Sequence, residues 1–285
     1  MSYHTIAINL PRFHRREITL GPLLQYRNDK AKFYAIESVH LRPGGDNHIL
    51  RQEVADSPRL FAAMLLSDDT VDEAQLLADL KHEHIARVCG VYTTRSNVLL
   101  IVERMMCTLA ECLQRWFRSS APTPLERLSV AHQLSSALQY LHSKHVCFRE
   151  VHPDSIGFDM KGNLKLFDFS RAKKIVEMKK LESYDDEESC SDTVNEDYAA
   201  PEVVMGESYG AEADVFSFGI VFWELLMLSP GYVDDTEEYR IMIQKGNWPE
   251  WAQDIVRQSL RPDPSKRTNM EDIQRWLDLV VEEEE

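Results

Sequence analysis

The sequence predicts an α+β protein of two lobes, the first small and mostly β, the second larger and mostly helical. Residues 17 to about 66 hold short runs rich in β-branched and aromatic residues, such as "KFYAIESVHL" and "RLFAAMLL", separated by the turn-like "RNDK" and "RPGGDN". From "TLAECLQRWF" onward the apolar residues recur at helical spacing instead. Between the two regimes "VLLIVERM" reads as a buried connecting strand. A chain of 285 residues is long enough to bury a core in each lobe.

The elements follow in order. After an N-terminal extension over 1–16, the small lobe covers 17–103, the large lobe 104–281 and an acidic tail 282–285. Within the small lobe "TVDEAQLLADLKH" is a helix, with Asp68 or Thr70 as its N-cap. Large-lobe helices are expected over 125–142, 211–228, 237–244, 250–260 and 270–281. The strands "SIGFD" and "LKLFDF" interrupt them around the turn "MKGN". The apolar run "FSFGIVFWELLML" contains Glu224 and falls short of a membrane span, so it reads as a buried helix.

Charge and cysteine content exclude several classes. A formal net charge of -15 disfavours nucleic acid and anionic membranes, both polyanions that need a basic surface. The excess is concentrated in "ESYDDEES" and the terminal "EEEE", which read as solvated runs. Five cysteines, odd in number and without C-x-x-C spacing, indicate neither a disulfide framework nor a zinc site. The first twenty residues lack the apolar core of a signal peptide, and an intracellular, cytoplasmic protein is expected.

Several motifs then occur in one order: "DEAQLLADLKHEHI", "FREVHPDSIGFD", "GNLKLFDFS", "AAPE" and "DVFSFGIVFWEL". Together they resemble the eukaryotic-type protein kinase domain over nearly the whole chain. The wording of "FREVHPDSIGFD" is similar to a branch of diatom and algal serine/threonine kinases. The resemblance implies a bilobal protein-kinase-like fold, ATP and Mg²⁺ as cofactors, and other signalling proteins or kinases as partners. It also implies catalysis by positioning and electrostatics, so each charged or metal-binding group matters.

Matched position by position, the chemistry is altered. Glu150 stands for the catalytic aspartate, and its extra methylene shifts the carboxylate by about an ångström, a displacement that can matter ~100-fold. His152 replaces the lysine that contacts the transferring phosphoryl group. Ser155 replaces the asparagine of the second Mg²⁺, while Asp168 of "DFS" keeps the main Mg²⁺ ligand. Ser170 replaces the glycine after Phe169 and narrows the backbone choices there. No G-x-G-x-x-G loop is present; "GPLLQYRNDKAKF" offers only Gly21.

For the strand lysine two placements compete. "FAAML" puts Met64 there, with Ala62 against adenine; "YAIES" puts Glu37 there. Met64 is preferred because Glu73, the match for the αC glutamate, follows it. Either way the phosphates lose an anchoring charge. The resemblance also sets Glu103 and Met105 on the nucleotide side of the hinge, although Met105 and Met106 read more simply as core residues. Asn195 stands where a threonine ties the activation segment to the catalytic residues. Structural positions are kept: Glu202 to pair with Arg267, Asp214 to support the catalytic loop, and Phe148 to stack with Phe169 and Leu77. His82 and His84 read as packing residues.

The expected function is therefore a pseudokinase used for binding, scaffolding or allosteric control, with weak or absent ATP binding. The alternative is a divergent active serine/threonine kinase with Glu150 as base, Asp168 on Mg²⁺ and an unmatched basic residue on the phosphates. Two lost contacts of ~3 kcal/mol each would already slow transfer about 10⁴-fold if they were independent. The nine carboxylates from Glu177 through Asp197 are expected to keep the activation segment mobile, with Ser183 and Ser189 open to an acid-directed kinase.

Overall fold

Six strands form the main sheet of the N-terminal half. In spatial order they are β1 (Arg12–Phe13), β5 (Val88–Thr93), β6 (Val98–Glu103), β4 (Phe61–Leu66), β3 (Phe33–Val39) and β2 (Ile18–Leu24). β1 joins β5 in parallel; the other pairings are antiparallel. In β4 the residues from Phe61 to Met64 are all buried, a continuous apolar run of the kind found in strands covered on both faces. Met64 sits opposite Phe33 on one side and Leu100 on the other. This computed structural model describes residues 12–13, 18–24, 33–39, 49–66, 71–94, 98–119, 121–175, 195–228 and 248–284. The expected helix over 237–244, the candidate N-caps Asp68 and Thr70, and the acidic segment with Ser183 and Ser189 lie outside the described residues.

Between β3 and β4 the sequence reading expected only turn and strand, yet Ile49–Asp56 is a helix, α1. Eight residues are too few to hold a helix by propensity alone. The anchor is Val54, completely buried in a cluster with Ile18, Ile36, Phe61 and Ile101. A second helix, α2, spans Val71–Asp79.

A three-stranded sheet completes this unit: β7 (Cys107–Thr108), β9 (Ile156–Phe158) and β10 (Leu164–Leu166), in the order β10-β9-β7. The β9–β10 turn closes with Gly162 at a φ of 85°, and the Asp159 carboxylate accepts from the backbone N–H groups of Lys161 and Asn163. The chain divides into one unit of Met1–Thr108 with Gly157–Ser170 and another of Leu109–Ile156 with Arg171–Glu285. The division falls after Thr108, where β7 pairs with β9.

The second unit is helical: α3 (Leu109–Arg118), α4 (Pro124–Ser143), α5 (Pro201–Val204), α6 (Ala211–Met227), α7 (Glu250–Ser259) and α8 (Met270–Glu284). A small strand pair, β8 (Val146–Cys147) with β11 (Lys173–Lys174), joins them. α4 opens with Thr123 and Glu126 in a reciprocal capping box and Pro124 in the first turn. α6 buries Phe218, Phe222 and Trp223, and Gly219 lets α7 approach: a Cβ there would lie 2.6 Å from that of Ser259. α8 continues three residues past its expected end, to Glu284. Among the described residues no helix is long and apolar enough to cross a membrane.

Candidate functional site

In the first unit three of the candidate residues, Met64, Glu103 and Met105, meet in one pocket. Met64, Leu77, Ala86, Val102, Glu103, Met105 and Phe167 line a pocket with about 290 Å³ of empty space. Met64 is 1% exposed at the centre of the sheet, whereas Glu37, on β3, is exposed. Ala62 is buried on the same strand as Met64 but does not line the pocket. Glu73 lies on α2, with its side chain outside the description. Met105 is buried as expected of a core residue; Met106 is not, because the chain turns there, its N–H bonds to the Phe158 carbonyl and its side chain is 54% exposed.

Glu103 ends β6 inside a network of alternating charge. Its Oε2 accepts from the backbone N–H of Arg87 at 3.0 Å and lies 3.1 Å from Lys165 Nζ. Arg87 in turn grips Glu53 of α1 through two bonds of 3.1 and 2.5 Å, the main cause of the upward shift of its guanidinium. Lys165 sits between two buried leucines in β10 and is itself buried, so its ammonium depends on Glu103 for charge compensation. Two residues after β10, Asp168 accepts the backbone N–H of Ser170 at 3.1 Å. Ser170 is not among the residues at positive φ, so here the loss of glycine carries no backbone strain.

In the second unit Asp214 of α6 organises the loop that carries the other candidates. Its carboxylate accepts the backbone N–H groups of Phe148 at 2.8 Å and Arg149 at 2.7 Å, and His142 Nε2 lies 2.8 Å away. These bonds hold Arg149 at a φ of 69°, a conformation that disfavours side chains. Next along the loop, one carboxylate oxygen of Glu150 meets Arg171 Nε and the other lies 2.8 Å from His152 Nε2. The Ser155 hydroxyl is fully buried within its own loop, against the carbonyl oxygens of Glu150 and His152, and accepts the His152 N–H at 3.3 Å. Glu150, His152 and Ser155 thus form one hydrogen-bonded cluster.

Glu150 and His152 also line a pocket of about 400 Å³ with Arg149, Asn195, Tyr198 and Tyr209. Tyr198 donates to Glu224 at 2.9 Å, and burial followed by that carboxylate pushes its hydroxyl up. Behind it Arg267 holds Glu202 in a fully buried two-point pair of 2.5 and 2.7 Å. Buried acid supporting a loop backbone, paired glutamate and arginine, and a carboxylate at the strand exit occur in the order that the sequence motifs anticipate. The sequence model of the protein kinase domain matches residues 58–276.

The chain belongs to the protein kinase domain family. It is similar to cAMP-dependent protein kinase type 3 of Saccharomyces cerevisiae, 26% identical over 91% of this chain and 69% of that protein. Cyclin-dependent kinase 7 of Dictyostelium discoideum is 27% identical over 63% of this chain and 50% of its own length. Maternal embryonic leucine zipper kinase of Xenopus tropicalis is 28% identical over 72% of this chain and 32% of its own length. The kinase domain match begins after α1, so that helix and its Glu53 lie outside it.

Sequence reasoning on this kinase domain missed Lys165 and Arg171. A lysine between two leucines in a short strand was the available signal for the first. Arg171 carries no local signal, because its partner Glu150 is 21 positions away.

Proposed function

We propose that this kinase domain is a pseudokinase that acts by binding, scaffolding or allosteric control of signalling proteins, with weak or absent ATP binding. The observation that carries the reading is the Glu150 carboxylate, whose two oxygens are taken by Arg171 and His152. A carboxylate held by a cation on one oxygen and a histidine on the other is fixed in place and a weaker acceptor for a substrate hydroxyl's proton, the task a catalytic base has in phosphoryl transfer. The first unit adds a second reason. Its pocket is lined by apolar side chains and one acid, Met64 stands at the preferred lysine position, and Lys165 is committed to Glu103. Residues of this kind do not fit a triphosphate, which needs cations or a cradle of N–H groups.

Asp168 favours the alternative, a divergent serine/threonine kinase, since a carboxylate at that position suits Mg²⁺. The degenerate loop wording, similar to diatom and algal kinases, and an intracellular setting belong to the same proposal. The test is thermal stability of the purified chain with ATP, with and without Mg²⁺, followed by a phosphotransfer assay. We expect no Mg²⁺-dependent stabilisation at micromolar ATP and no transfer above background, in the wild type or in Glu150→Asp. Autophosphorylation that disappears in Asp168→Ala would overturn the reading.

A further inference from the structure

Three cations of the first unit stand beside exposed apolar side chains without an acidic partner. The carbonyl oxygen of Leu60, at the end of the short turn Pro58–Leu60, accepts the Arg104 N–H at 2.9 Å, which brings Arg59 and Leu60 against the residues that leave β6. Met106 follows two positions later and bonds through its N–H to the Phe158 carbonyl at 2.7 Å. Met160 and Lys161 lie in the turn just beyond. Arg59, Leu60, Met106, Met160 and Lys161 are exposed, and Arg104 is half-buried. The neighbouring acids are already engaged: Glu53 by Arg87, Glu103 by Arg87 and Lys165, and Asp159 by the N–H groups of its own turn. Asp56, exposed upstream of Arg59, does not pair with it. Among the described residues none of these three cations makes an ion pair, and Arg104 Nε is buried with no hydrogen-bond partner.

We propose that this surface docks an acidic linear segment of a partner protein, with its carboxylates on Arg59, Arg104 and Lys161 and its aliphatic side chains on Leu60, Met106 and Met160. Charge selects that occupant. The chain has a formal net charge of -15, so an acidic peptide is repelled by the molecule at large and is held only where cations are unpaired. A basic segment would meet three like charges here. An arginine whose fork has no acceptor in its own fold is open to two-point pairing with a carboxylate, and such a pair gains strength where apolar neighbours exclude water. The two methionines suit the apolar part, because an unbranched thioether moulds to side chains of different shape. None of these residues lines the pocket around Met64, so the proposal holds whether or not Mg-ATP binds.

The test is fluorescence anisotropy of a labelled synthetic peptide, single leucines separated by pairs of glutamates, titrated with the purified full chain. Two control peptides replace every glutamate by lysine or every leucine by serine. The wild type is expected to bind the acidic leucine peptide, less tightly as salt rises, and to bind either control at least tenfold more weakly. Arg59→Glu and Arg104→Glu should each weaken binding at least tenfold, and Met106→Ser should weaken it clearly, all with little change in Tm. Arg59 sits on an exposed turn, so its variant decides the matter if Arg104→Glu lowers Tm. Phe117→Ser, which alters another exposed apolar side chain in the second unit, should leave binding unchanged. No binding by the wild type, equal binding of either control peptide, or undiminished binding by Arg59→Glu combined with Arg104→Glu overturns the site. An equal loss in Phe117→Ser would place the peptide elsewhere and overturn it too.

Discussion

Glu150 and Arg171 form an ion pair within the second unit, with 12% and 7% of their side chains exposed. Removing one partner of such a pair leaves the other charge buried and uncompensated, which costs about 3–5 kcal/mol. Arg171→Met should therefore destabilise the protein by about 3 kcal/mol in urea unfolding. The double variant Glu150→Gln with Arg171→Met should recover more than half of the loss. Additive losses would mean that the two side chains do not depend on each other.

Met64 is the next place where a single change discriminates. The strand is apolar on both faces there, and an ammonium among Leu77, Val102 and Phe167 must be neutralised or left uncompensated. Met64→Lys should cost at least about 2 kcal/mol of stability, with no Mg-ATP stabilisation gained. A lysine variant as stable as the wild type that responds to Mg-ATP would show that the pocket is prepared for a lysine.

The family-level layout was legible because its signals are local: alternating or continuous apolar runs for the strands, apolar residues at helical spacing, and the "DFS" and "AAPE" motifs. The Glu202–Arg267 pair was legible only through the family resemblance, since 65 residues separate the partners. The helix at Ile49–Asp56 was not legible, because its stability comes from Val54 entering the sheet core and not from its own short sequence. For the same reason no pattern in the chain gives the Arg171 contact. It is a product of tertiary packing between segments that carry no shared periodicity. Glu53, Arg87, Glu103 and Lys165 are likewise ordinary charges in the sequence, and only the fold makes them consecutive partners.

Arg267 makes the strongest demand on geometry. Its guanidinium bonds both oxygens of Glu202 and also reaches the carbonyl oxygens of Glu212 and Pro262, with no side-chain exposure. A planar fork is needed for that many bonds, and a lysine ammonium cannot reproduce it. Arg267→Lys and Arg267→Ala should both lose about 3 kcal/mol or more in urea unfolding. Full stability in the lysine variant would show that charge alone suffices.

Cys89 gives the pH dependence. Its side chain is completely buried, and desolvation is the main force that pushes the thiol up from 9.0 to about 12. Below pH 9 both the folded and unfolded chains keep the proton, so this group adds no slope. Between about pH 9 and 12 the unfolded chain loses it while the folded protein holds it, and unfolding then releases a proton. Stability must fall as pH rises through that window, by up to about 1.4 kcal/mol per pH unit for this one thiol. Cys147 is also pushed up, by burial first and then by Asp214, so the measurement needs a reference that retains it. The urea midpoints of the wild type and Cys89→Ala should be compared at roughly pH 8.5 and 10.5, values chosen to bracket the start of the window. The wild type should lose about 2 kcal/mol more than the variant between them. Equal losses would show that the Cys89 thiol ionises in the folded state as readily as in the unfolded one.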